Sequence, residues 1–89
     1  VILMLSVSEF FGIVIYIYYN DHVPPHFHAE YAEHEALFLI DTLEMYHGEL
    51  PRRARSLVFE WASLHRSELW ADWERARKGL PLEPIAPLE

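Results

Sequence analysis

Apolar and polar positions along this chain fall into two regimes, an alternating one up to about residue 47 and a helical one beyond it. Ile13-Val14-Ile15-Tyr16-Ile17-Tyr18-Tyr19 is β-branched or aromatic throughout and predicts a strand. Ile13, Ile15 and Ile17 share one face, and Val14, Tyr16 and Tyr18 share the other, so neither face is simply wet. Asn20-Asp21 opens a turn and Pro24-Pro25 stiffens the connection. His26 to Tyr31 then alternates, with Phe27, Ala29 and Tyr31 on the apolar side and His26, His28 and Glu30 on the other. Ala32-Glu33-His34 makes a short turn. Glu35 to Ile40 is the next strand, and Leu43 to Tyr46 offers a fourth, short one.

Beyond His47-Gly48 the spacing changes. Pro51 suits a first helical position, and Ala54, Val58, Trp61, Leu64, Leu69, Trp73 and Ala76 recur as one stripe, flanked by Leu57, Ala62 and Trp70. Arg75, Arg77 and Lys78 fall in the last turn, where cations complement the helix dipole, and Gly79 is a natural stop. The stripe hardly slips at His65-Arg66-Ser67, which predicts one helix of about 40 Å, long for so small a domain. The tail from Leu80 to Glu89 carries three prolines and four large aliphatic residues. It predicts an extended segment whose apolar side chains pack on their own domain or on a partner. The expected architecture is α+β within a single domain over residues 1–89. An antiparallel sheet of three or four strands (about 10–47) packs on one long C-terminal helix (about 51–78), followed by the extended tail (80–89).

Charge and cysteine usage narrow the chemistry. Seven Lys and Arg stand against fourteen Asp and Glu, for a net charge of −7. A bulk basic field for nucleic acid is excluded, though a local basic patch is not. The absence of cysteine removes disulfides, thiolate zinc sites and cysteine nucleophiles. The apolar start Val1 to Leu5 lacks a basic flank and the run from Phe10 to Tyr19 is too short to span a bilayer, so the expected setting is cytoplasmic, with no membrane.

The densest chemistry lies in Asp21-His22-Val23-Pro24-Pro25-His26-Phe27-His28-Ala29-Glu30-Tyr31. His26 and His28, two apart on a strand, project from one face and can share a divalent transition metal such as zinc, with His22 or Asp21 as a third ligand. Glu30 is a weaker third ligand, about 13 Å along the strand from His26. A metal-free use of the same residues is acid–base cleavage of RNA by His22, His26 and His28. Tyr31, Tyr16 and Tyr18 would contact bases or hold the imidazoles, with Arg52, Arg53 and Arg55 holding the substrate's negative charge. A structural role, in which strand histidines only hydrogen-bond across the sheet, competes with both. His34 and His47 read as solvated turn residues, and His65 as partly buried beside the helix stripe. Asp72, Glu74 and Arg75 read as the wet face of the helix. The three arginines at the helix start stand where the dipole disfavours cations, so a local anion or acidic-partner site competes with a plain solvated face.

The residues Ser8-Glu9-Phe10-Phe11-Gly12-Ile13, Tyr18-Tyr19-Asn20-Asp21-His22 and Pro24 to Tyr31 carry a resemblance. So do Leu50-Pro51-Arg52-Arg53, Glu60-Trp61-Ala62, Leu64-His65, Pro84-Ile85 and Pro87-Leu88. Together they resemble the small prokaryotic domain-of-unknown-function family numbered 4160 over almost the whole chain, Val1 to Leu5 excepted. Asp-His-x-Pro-Pro-His-Phe-His is the most specific part. The resemblance implies a gene beside a second small protein of antitoxin or DNA-associated type. It casts this chain as the toxin-like member of a toxin–antitoxin pair, with the family signature falling on His22, His26 and His28, the residues that the metal-free reading above would set on RNA. It brings no established catalytic residues. The alternative is a non-catalytic metal-binding or protein-interaction module. Two apolar strand faces, a long helix and a greasy tail also fit an obligate partner, either the antitoxin-like protein or a second copy in a homodimer.

Overall fold

A computed structural model describes residues 4–89, so residues 1–3 of the Val1 to Leu5 reading lie outside the described range. Five strands come first: β1 (Met4–Phe10), β2 (Ile13–Tyr18), β3 (His26–Tyr31), β4 (His34–Leu39) and β5 (Met45–Gly48). Two helices follow, α1 (Arg52–Leu64) and α2 (Arg66–Arg77). The strands form one antiparallel sheet in chain order, each paired with the next.

This corrects the expected three or four strands on one long helix, and both corrections have a local cause. β1 hides from an alternation search because it carries a bulge, with the register against β2 shifting between Ser6 and Ser8. The extra residue puts Val7 and Phe10, three apart, on the same buried side. The helix breaks at His65, whose φ of −127° and ψ of 25° leave the helical region and whose N–H donates to Ala62 O at 3.1 Å. An unbroken helix of about 40 Å would overhang a body whose longest dimension is 33 Å. The break folds α2 back over the sheet and leaves Leu64, counted in the apolar stripe, 67% exposed.

The core lies between one sheet face and the two helices. Ile13, Ile15, Ile17, Phe27, Ala29, Ala36 and Phe38 face Ala54, Val58, Trp61, Ala62, Leu69, Trp73 and Ala76, all buried. Trp61 is the hub, its ring 5.2 Å from Phe10 and 6.1 Å from Phe27. The tail packs on its own domain. Ile85 is buried, its N–H donates to Val7 O at 2.8 Å, and Ala86 O accepts the Trp61 indole N–H at 2.8 Å. Asp72, read as wet, is fully buried. Its Oδ1 accepts from Arg75 at 2.7 Å and from the Glu83 N–H at 2.9 Å, which ties the tail to α2.

The opposite sheet face carries no helix among the described residues, and two cross-strand rows run over it. Glu9, Val14, Glu30 and Glu35 sit side by side across β1 to β4. Ser6, Tyr16, His28, Leu37 and His47 form the next row across all five strands. Charge divides between the layers. Every Lys and Arg lies between Arg52 and Lys78, whereas residues 1–50 hold eight of the fourteen acidic residues and no Lys or Arg.

Candidate metal centre at the start of β3

The site forms where the β2–β3 connection returns to the sheet. Pro24 and Pro25, with a cis Val23–Pro24 bond, lead into His26, and Asp21 lies just after the end of β2. Alternation along β3 sends Phe27 and Ala29 into the core and frees His28 for the helix-free side. Among the described residues, Asp21, His26 and His28 offer three ligand atoms within 4.8 Å of one another.

The imidazole orientations are set by their outer nitrogens. His26 Nδ1 donates to Pro24 O at 2.8 Å, which leaves Nε2 as the free ring nitrogen. His28 Nδ1 meets Glu35 Oε2 at 3.3 Å, and its ring stacks on Tyr18 at 4.2 Å. Both Nε2 atoms then converge on one oxygen, Asp21 Oδ2, at 2.9 Å from His26 and 3.0 Å from His28. The His28 contact is a hydrogen bond. The His26 contact is close but out of line, and the buried His26 Nε2 has no hydrogen-bond partner. His26 itself is 4% exposed and His28 8%. An orphaned, buried imidazole nitrogen facing a carboxylate is costly. Two ligand atoms about 2.1 Å from one ion lie about 3.0 Å apart at right angles and about 3.4 Å apart at the tetrahedral angle, and the Nε2 atoms stand 2.9 and 3.0 Å from Asp21 Oδ2, at the short end of that span.

Burial pushes the Asp21 carboxyl up, but other effects outweigh it. The His28 hydrogen bond, the His22 backbone N–H at 2.8 Å and the two nearby imidazoles hold it below the ordinary carboxylate value. On the neighbouring strand the Tyr16 and Tyr18 hydroxyls are pushed up by burial first and then by carboxylates, Glu30 foremost for Tyr16 and Glu35 for Tyr18.

Other predicted site residues fall elsewhere. His22 is exposed beside the trio, touching Asp21 through its backbone. Tyr31 ends β3, about 16 Å from His26 at strand rise, in a small cleft with Phe11, Ile13, Pro51, Arg53, Ala54 and Leu57. Arg52, Arg53 and Arg55 are exposed on the first turn of α1. Glu30 stands in the carboxylate row, outside the trio. Glu35 is the contributor that sequence reasoning missed. It is seven residues from His28, and only the β3–β4 register brings it alongside.

The fold and site define a five-stranded antiparallel meander covered on one face by two helices, with a two-histidine, one-carboxylate set at a strand start. Residues 12–74 match the model of the family described as "Domain of unknown function (DUF4160)", and the chain belongs to that family. No curated protein and no solved structure matches it. Among the described residues, no helix is long and apolar enough to cross a membrane.

Proposed function

We propose that this protein binds a divalent transition metal ion through His26 Nε2, His28 Nε2 and Asp21 Oδ2. The carrying observation is the buried, unpartnered His26 Nε2 turned toward the same oxygen that holds His28. Pro24 O and Glu35 fill the supporting role that carbonyls and carboxylates play behind metal-bound imidazoles, fixing the tautomer and the ring. Two imidazoles and one carboxylate suit zinc, iron or nickel, and three protein ligands leave positions for water or a substrate. A bound ion would supply Lewis acidity or an activated water. The chain's own residues orient the imidazoles and bury one side of the site.

The reading of a toxin that cuts RNA gains no support from the arrangement. Arg53 lines a cleft with Tyr31, at the far end of β3 from His26. The sheet that carries the histidines has no Lys or Arg to meet a phosphate.

Titration calorimetry with zinc, alongside metal analysis after dialysis, tests the proposal. One ion per chain is expected, with binding lost in His26→Ala/His28→Ala at retained fold. Absence of stoichiometric binding, or equal binding by that variant, would overturn it.

A further inference from the structure

The helix-free sheet face combines two features that the fold does not require. Val14, Tyr16, Tyr18, Leu37 and Leu39 are only half-buried there, where a solvated face would carry polar side chains. Beside them Glu9, Glu30 and Glu35 form one cross-strand row, with Glu30 directly opposite Glu35. Like charges placed opposite each other weaken a sheet. Glu35 is drawn toward His28, but among the described residues neither Glu9 nor Glu30 has a basic group within 4.0 Å. No Lys or Arg can come from the sheet itself, since every one follows residue 51. An apolar strip beside unneutralised carboxylates is complementary to a surface of alternating cations and apolar side chains.

We infer that the Tyr16–Leu37 face is the docking surface for a basic protein segment whose Lys or Arg side chains meet Glu9, Glu30 and Glu35 and whose apolar side chains cover Tyr16, Tyr18 and Leu37. Nucleic acid and anionic membranes are repelled by the same row. The surface adjoins the metal site, since His28 lies between Tyr16 and Leu37 and Glu35 contacts it, but Glu9 and Glu30 stand outside the ligand set.

A synthetic peptide of alternating Lys and Leu, titrated into the full chain in the presence of a chelator, serves as the probe. Backbone amide shifts in nuclear magnetic resonance spectra locate it. Shifts concentrated on β1 to β4 around Tyr16 and Leu37 are expected, weakening with added salt. Glu9→Gln/Glu30→Gln is expected to lower the affinity about tenfold. Asp41→Asn/Glu44→Gln, the same charge change in the β4–β5 connection, should leave it near the wild-type value. Scattered shifts, equal losses in the two double variants, or equal binding of a Glu and Leu peptide would overturn the assignment. The chelator separates this outcome from the fate of the metal site.

Discussion

At the scale of single residues, the site's economy lies in which nitrogen each imidazole has left to offer. His26 and His28 both commit Nδ1 outward and both turn Nε2 to Asp21. Glu35→Gln should keep the fold and weaken zinc about tenfold, the usual scale for a supporting carboxylate, as read by competition with a chromogenic chelator. Asp21→Asn should cost more, because it removes a ligand. Tyr16 and Tyr18 make a separate prediction. Burial first, then the neighbouring carboxylates, raises both hydroxyls above the ordinary 10.0. Above that pH the unfolded chain gives up these protons before the native protein does. Their contribution is therefore whole below pH 10 and is lost as pH climbs through the raised values. Urea unfolding between pH 8 and 11 should show a decline that flattens in Tyr16→Phe/Tyr18→Phe. An unchanged decline would assign it to other groups.

At the scale of elements, turn chemistry can be tested directly. Phe11 and Gly12 connect β1 and β2 with φ of 50° and 80°, the double positive that a type I′ hairpin demands. A bulky aromatic is a poor choice there, and Phe11 is 57% exposed. Phe11→Asn, whose short polar side chain tolerates the left-handed region, should raise stability by about 1 kcal/mol, measured by denaturant midpoint. Gly48→Ala should act the other way. At φ 81° a Cβ would run into the Glu35 carbonyl, so the β4–β5 pairing would have to open. β2 was legible in the sequence from its β-branched and aromatic run, β3 from its clean alternation, and β4 from Ala36, Phe38 and Ile40 at every second position. β1 was not, because its bulge displaces the pattern by one residue at Val7. The helix break was illegible for a different reason. His65 bends the backbone without moving the buried stripe out of phase, so Trp61 and Leu69 face the core on either side of it. For the site, Asp21, His26 and His28 were readable as a cluster, whereas Glu35 depended on cross-strand register.

For the whole molecule, one face of the sheet holds the fold together and the other is free for chemistry. Trp61 is buried at the hub and also anchors the tail. Trp61→Ala should cost about 3–5 kcal/mol, a large part of the stability expected of a domain this size, and appear as a collapsed thermal transition. The helical layer and the site are not isolated from each other, however. Trp73 of α2 lies with its ring 5.4 Å from that of His26. That proximity gives the protein a built-in optical reporter. An open-shell ion such as cobalt or nickel, held on His26, would sit close enough to that indole to quench its emission. Trp73→Phe would remove most of the quenching while sparing the ligands, so occupancy of the site could be followed by the protein's own light without label or dye.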